Sequence, residues 1–356
     1  MKLNKKYIAL NNLIILQRGF DLPEIERVTG NIPVVASTGI IGSHNIAKVK
    51  GPGVVIGRSG SIGGGQYVAG DFWPLNTTLW VKDFKEHNPR FIYYVLKNID
   101  FSRFNFGTGV PTLNRNHIAN IKVLAFDKSQ EEKIADILSK YDDLIENNRR
   151  RIELLERSAR LLYKEWFVRL RFPGHEHTPI IDGIPEGWER LKLGEVLTLQ
   201  RGFDLPSAKR THGQYPIFAS TGINGYHEKA KVQAPGIVTG RSGSLGKVMY
   251  IAEDFWPLNT TLYVKDFIKV DAVFALHLLE NLHLEQYNAG AAVPTLNRND
   301  IHKIKVLCPS CTLKSLFLAF ANPIYTQIHF LDRYNQKLKQ ARDILLPKLM
   351  NGEIEV

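Results

Sequence analysis

The sequence predicts an α+β protein in which two similar, mostly-β domains are separated by two long helices that pair with each other. Three observations carry that expectation. The 69 residues from Leu16 to Phe84 return without a gap at Leu199 to Phe267 with 45 identities, a separation of 183 residues. Within each copy, short β-branched runs alternate with Gly-, Asn- and Ser-rich stretches, the texture of strands joined by tight turns. After the first copy the turn residues vanish, and Lys128 to Phe172 contains neither Gly nor Pro.

The repeat continues beyond its densest part. GRSGSIGGGQYVAGDFWPLNTTLW, from Gly57, faces GRSGSLGKVMYIAEDFWPLNTTLY, from Gly240, and GTGVPTLNRN, from Gly107, faces GAAVPTLNRN, from Gly290. Two long copies are a domain duplication, since a solenoid needs several short units. IPVVAS, PGVVIGRS, TTLWVKDF and NIKVLAF read as strands, and Phe91–Ile99 and Val273–Leu282 as one helix in each copy. The chain therefore divides into a first domain (1–127), a long helix (128–170), a Pro/Gly-rich connector (171–184), a second domain (185–310) and a second long helix (311–356).

In the first long helix Ile134, Leu138, Tyr141, Ile145, Asn148, Ile152, Leu155, Ala159, Leu162 and Trp166 follow alternating steps of four and three, the seam of a coiled coil. About forty residues at ~1.5 Å rise give a length on the order of 60 Å. Asn148 is the one polar seam residue, the kind that fixes pairing register. Ser129, with Glu131 and Glu132 behind it, suits a helix N-terminus. In the second helix Ile324, Ile328, Leu331, Leu338, Ala341, Leu345 and Leu349 form a less regular face after Pro323, which Pro347 is expected to interrupt.

At 356 residues the chain can build two or three cores, and 44% hydrophobic with 23% charged residues is an ordinary globular composition. A net charge of +11 points to a polyanionic partner, nucleic acid or an anionic membrane surface. Asn11 and Asn12 break the apolar run near the start and no small-residue cleavage site follows, against a signal peptide. No run of eighteen apolar residues offers a membrane span. Cys308 and Cys311 form a single CPSC without a second ligand pair at matching spacing, and His175 and His177 stand far upstream. They read as two thiols in a reducing cytoplasm, with no metal.

Catalytic motifs fail one by one. Gly246-Lys247 is not a P-loop, because Arg241 stands where its first glycine belongs and Val248 where its hydroxyl belongs. Gly51 and Gly53 lack the third glycine of G-x-G-x-x-G. NPRF, from Asn88, differs from the N-P-P-F/Y of amino-methyltransferases by Arg90 and has no twin in the second copy. No Ser-His-Asp set recurs in both copies. The chain reads as a binder without a cofactor of its own.

Binding candidates are the polar residues that both copies carry: Arg18/Arg201, Ser37/Ser220, Thr38/Thr221, His44/His227, Lys48/Lys231, Arg58/Arg241, Ser59/Ser242, Ser61/Ser244, Asn76/Asn259, Thr78/Thr261, Asn114/Asn297 and Arg115/Arg298, with Thr77/Thr260 and Thr112/Thr295 beside them. Arg grips guanine O6 and N7, and Asn the N6 and N7 of adenine. Ser, Thr, Lys and backbone amides in Gly turns are the usual phosphate contacts. A structural reading competes, because Phe72 to Leu75 and the glycines serve core and turn geometry equally well.

PVVASTGIIGSH, GPGVVIGRSGSIG, TGVPTLNRNHIANIKVL and SQEEKIADILSKYDDLIENNRRRIELLERSARLLYKEWF, with their counterparts PIFASTGINGYH, APGIVTGRSGSLGKV and AVPTLNRNDIHKIKVL, the lead-in GIPEGWERLKLGEV and the ending ARDILLPKLMNGEI, resemble the specificity subunit of type I restriction–modification systems over essentially the whole chain. The resemblance implies two target recognition domains, each reading half of a bipartite site in double-stranded DNA. It also implies an antiparallel coiled coil that sets half-site spacing and docks DNA adenine methyltransferase subunits, two of them. S-adenosylmethionine-dependent methylation and ATP-dependent cleavage would belong to partners, the latter to an endonuclease/translocase subunit, and no membrane is involved. Two departures stand out: the first domain lacks a counterpart of Gly187-Trp188, and Cys308 and Cys311 lead into the second helix where the first has Ser129-Gln130-Glu131-Glu132.

Antiparallel helices would relate the domains by a pseudo-two-fold, and two-fold readers see inverted half-sites. Copies this similar predict a nearly palindromic site with an unread middle, unless Glu24-Ile25-Glu26 against Ser207-Ala208-Lys209, or Gly64-Gly65-Gln66 against Lys247-Val248-Met249, touch bases. Arg149, Arg150, Arg151, Arg157 and Arg160 form either a solvated helix face or a surface toward unread DNA or partners. The rival reading is a coiled-coil scaffold whose twin domains bind something other than DNA.

Overall fold

The computed structural model describes residues 6–107, 109–290 and 292–356. The first five residues, Thr108 and Ala291, which belong to the basic start and to the GTGVPTLNRN and GAAVPTLNRN motifs, lie outside them. The chain forms two compact units that do not follow its linear order: Met1–Asn148 with Tyr334–Val356, and Arg149–Arg333. Each long helix contributes one half to each unit.

In unit 1, β1 (Tyr7–Ala9), β2 (Ile15–Arg18), β3 (Ile32–Ala36), β4 (Gly39–His44), β5 (Gly53–Gly57), β6 (Gly63–Val68), β7 (Trp73–Pro74) and β8 (Thr78–Asp83) precede helix α1 (Pro89–Asn98) and β9 (Lys122–Leu124). They make a four-stranded sheet ordered β2-β8-β5-β6, a three-stranded sheet ordered β4-β3-β7, and the pair β1-β9. Helix α1 starts where Asn88 accepts from the backbone N–H groups of Arg90 and Phe91, with Pro89 at its first position, a strong N-terminal signal. Its buried face, Phe91, Ile92, Val95 and Leu96, packs with Val54, Ile56 and Leu79 of the sheet. Residues 128–148 belong to the long helix α2 (Lys128–Tyr163), and they add Ile134 and Leu138 to this core.

Unit 2 repeats the plan with β10 (Glu189–Lys192), β11 (Leu197–Arg201), β12 (Tyr215–Ala219), β13 (Gly222–His227), β14 (Gly236–Gly240), β15 (Val248–Ile251), β16 (Trp256–Pro257), β17 (Thr261–Phe267), α3 (Ala272–Asn281) and β18 (Lys305–Cys308). Its sheets are ordered β11-β17-β14-β15, β13-β12-β16 and β10-β18. The register repeats as well: Val34 lies opposite Trp73 in one unit and Ile217 opposite Trp256 in the other.

The second long helix, α4, runs Cys311–Met350 without a break. Pro323 and Pro347 lie inside it, so the expected interruption at Pro347 does not occur. The helices pair antiparallel within each unit. In unit 1 Asp142 meets Arg342 and Asn148 meets Asn335. In unit 2 the Tyr163 and Phe317 rings lie 5.8 Å apart, and Ile152 packs into the same cluster as Ile328. Every expected seam residue of α2 is buried or half-buried, whereas Ala341 of α4 is exposed. Arg342, the twin of the buried seam residue Ala159, takes the seam position and pairs with Asp142. After Tyr163 the first helix continues as a π-turn, Lys164–Val168, which buries Trp166 and Phe167.

Asn148 and Asn335 are 1% and 8% exposed, and the Asn148 Nδ2 donates to Asn335 Oδ1 at 3.0 Å. The 183-residue repeat makes Leu331 the twin of Asn148 and Ile152 the twin of Asn335. Replacing Asn148 alone with Leu is expected to destabilise unit 1 by about 1–3 kcal/mol, because the Asn335 amide is left buried and unpaired. Replacing both with Leu is expected to restore or exceed the original stability, read from paired denaturant melts.

Candidate nucleic-acid interface

The densest identity between the copies folds into one polar platform per unit. In unit 1 the loop after β5, Gly57 to Ile62, is held from two sides. The Arg58 and Ser59 N–H groups donate to Thr77 O at 2.8 and 3.1 Å, Gly60 N to Pro111 O at 3.0 Å, and Leu113 N to Arg58 O at 2.8 Å. The loop needs its glycines: a Cβ on Gly57 would fall 1.8 Å from Ser61 O, and Gly60 adopts φ +82°, a conformation that side chains resist.

This frame aims two guanidiniums. Arg58 Nε donates to Asn76 O at 3.1 Å, Asn76 Nδ2 donates to Asp21 Oδ1, and Arg18 Nη2 lies 3.9 Å from that same carboxylate oxygen. Unit 2 repeats the set: Arg241 Nε to Asn259 O at 2.9 Å, Asn259 to Asp204, and Arg201 at 3.4 Å from Asp204. Partial burial, and then the like charge of Arg18, lower the Arg58 pKa; the group stays cationic at neutral pH, and an incoming anion relieves the repulsion. Arg18 faces Asp21 and Arg58 binds only a backbone carbonyl, so the pair keeps positive charge for a phosphate or a base edge.

Ser37 and Thr38 sit at the turn between β3 and β4, with Ser37 Oγ 3.9 Å from where a Gly60 Cβ would stand, and Ser61 is exposed in the loop itself. Ser59 bridges to Thr112 and Ser242 to Thr295. Ser220 and Thr221 repeat the turn, Ser220 being buried, and Ser244 is exposed like Ser61. Asn114 and Asn297 cap short helices by accepting from the Asn116 and Asn299 N–H groups, and Arg115 and Arg298 are exposed just behind them. Lys48 is exposed with its ammonium 5.4 Å from the Phe20 ring centre and 5.5 Å from that of Trp73; Lys231 lies 5.7 and 5.3 Å from Phe203 and Trp256.

Two candidate pairs are corrected. Thr78 and Thr261 are fully buried, and their hydroxyls donate to Leu75 O and Leu258 O at 2.7 Å, so they hold the turn into a strand. His44 and His227 are also buried, edge-on to Trp73 and Trp256, with Nδ1 accepting from the Val28 and Thr211 N–H groups. Both pairs shape the platform from inside. The sequence reading omitted Asp21 and Asp204, although QRGFDLP is identical in the two copies.

Elsewhere, Arg149, Arg150, Arg151, Arg157 and Arg160 are exposed along α2; Arg149 pairs with Glu153 and Arg160 with Glu280. Cys308 is buried and Cys311 exposed, both as free thiols. Among the described residues no three His, Cys, Asp or Glu side chains gather as a metal site, and no helix is long and apolar enough to cross a membrane.

A duplicated β domain with a cationic loop platform, carried on paired helices, defines a protein of modular nucleic-acid recognition. The sequence model of the type I restriction modification DNA specificity domain matches residues 8–157 and 185–316, and the chain belongs to that family as a type I specificity subunit. It is 25% identical over 301 residues to the type I restriction enzyme MjaIX specificity subunit of Methanocaldococcus jannaschii, covering 75% of this chain and 69% of that one. It is 22% identical over 331 residues to the HindI specificity subunit of Haemophilus influenzae, covering 68% and 71%. A solved S subunit of a type I restriction–modification system from M. genitalium shares the fold, with a TM-score of 0.64 at 20% identity over 98% of this chain and 96% of that one.

Proposed function

We propose that this chain reads a bipartite, nearly palindromic site in double-stranded DNA, one half per recognition domain (1–127 and 185–310), and that helices 128–170 and 311–356 dock two adenine methyltransferase subunits. The observation that supports this most is the repeated platform, Arg58–Asn76–Asp21 and Arg241–Asn259–Asp204, with the same hydrogen bonds in both units. The same groups meeting similar bases give similar half-sites, and the antiparallel sense of the helices favours inverting them. The chain itself transfers no methyl group and cuts no strand. Those reactions fall to partners, methyl transfer from S-adenosylmethionine and, where one is present, an ATP-dependent endonuclease. Incubation of the chain alone with labelled methyl donor and DNA should leave the DNA unlabelled.

Binding measured by fluorescence anisotropy on duplex DNA is expected to weaken steeply with salt, by a log–log slope of about −0.9 for each phosphate neutralised. A slope near zero would favour a scaffold whose twin domains bind an uncharged ligand.

A further inference from the structure

Strands β4 and β13 are edge strands of their three-stranded sheets, and four consecutive residues of each, 40–43 and 223–226, are exposed. Each edge strand is an exposed arm backed by a buried central strand, β3 or β12, and its side chains are free to reach base edges in the major groove. The arms grow from the turns that carry Ser37-Thr38 and Ser220-Thr221, beside the arginine loops. Here the copies part chemically: Ile41 faces Asn224, and Gly64 faces Lys247.

In unit 2 Arg210 Nη1 donates to both Asn224 O (2.9 Å) and Asn224 Oδ1 (2.7 Å). That bond occupies one lone pair of the amide oxygen and leaves both Nδ2 hydrogens free to donate. Lys247 Nζ donates to Thr221 O, at 3.4 Å on the turn of the same arm, and keeps further hydrogens of its own. At Asn224 and Lys247, where the copies differ, unit 2 thus presents donors, next to the exposed Ile223 and Tyr226. In unit 1 Arg27, the twin of Arg210, has no such clamp, its Nε being enclosed without a hydrogen-bond partner. The arm there shows Ile41, 44% exposed, and at Gly64 no side chain.

A lysine ammonium beside an amide N–H suits the base edge that carries two acceptors, guanine O6 and N7, whereas the additional aliphatic group of Ile41 suits the thymine methyl. We infer that Asn224 and Lys247 break the palindrome, so that the half-site read by domain 2 carries guanine at the position where the half-site read by domain 1 carries thymine. This rests on the DNA-reading function proposed above. It adds the residues and the base pair at which the halves differ.

The test is long-read methylation mapping in cells that express the full chain with its partner methyltransferase, for the wild type and for Asn224→Ile combined with Lys247→Gly. The expected wild-type motif has two inverted halves that differ by guanine against thymine. In the double variant the second half should lose its guanine preference, about five- to hundredfold in relative methylation, and come to match the first. Identical halves in the wild type would overturn the inference and leave the DNA-reading function standing, as would an unchanged motif in the variant. Should the variant not fold, the wild-type motif still decides. Absence of any motif, with the methyltransferase shown to be active, would overturn the DNA-reading function and the inference with it.

Discussion

Replacing Arg58 and Arg241 together with alanine is expected to remove sequence-specific recognition while leaving the fold intact. Each guanidinium, gripping a base, contributes about 1–3 kcal/mol. The two lie in separate compact units, so their losses should add, giving about 2–6 kcal/mol, or roughly thirty- to twenty-thousandfold in affinity for the cognate site. The loops should survive, because they are closed by backbone bonds from residues 58–60 to Thr77 and Pro111 and by their counterparts in unit 2. Circular dichroism melts of the double variant should therefore overlay the wild type. Anisotropy titrations against cognate and scrambled duplexes identify the role. A base-reading arginine costs affinity for the cognate site alone, whereas a phosphate-contacting one weakens both duplexes equally and reduces the salt slope by about 1 per residue removed.

Phe317→Ala should be the most damaging single substitution in unit 2. The ring is fully buried, within 5.3 to 6.2 Å of the rings of Tyr163, Trp166, Phe167, Phe274 and His277, and so joins both long helices to α3. Its removal should cost about 3–5 kcal/mol. For a unit of this size that lowers its melting transition by roughly 6–20 °C, measurable by calorimetry. Alanine at the neighbouring Leu316, 41% exposed, should change stability by less than about 0.5 kcal/mol. Equal effects at the two positions would contradict the packing described.

The duplication made much of this architecture legible before any coordinates. A fixed offset of 183 residues brought Arg58 and Arg241 forward together, and the three-and-four rhythm marked the seam of α2 down to Asn148. What stayed hidden has a common cause, since identity between copies records that a residue is needed without recording where its side chain lies. Thr78 and His44 recur because the turn and the Trp73 ring need them inside, yet from sequence they look like contacts. Asp21 recurs because it orients Asn76 and Arg18, but a carboxylate does not announce itself in a platform for an anion. In α4 the seam runs through the polar Asn335 and the charged Arg342, which an apolar pattern skips, so that pattern selects Ala341, twin of the exposed Ser158, in Arg342's place.

The division of the chain into units has a consequence for biosynthesis. Unit 2, Arg149–Arg333, is one uninterrupted stretch, whereas the core of unit 1 includes Leu346, Leu349 and Met350. A ribosome adds residues at about 5–20 per second, so the domain synthesised first waits more than ten seconds for the side chains that close it. The second domain, translated later, can be complete earlier. During that interval Ile134 and Leu138 lack the α4 side chains that share their core in the finished fold.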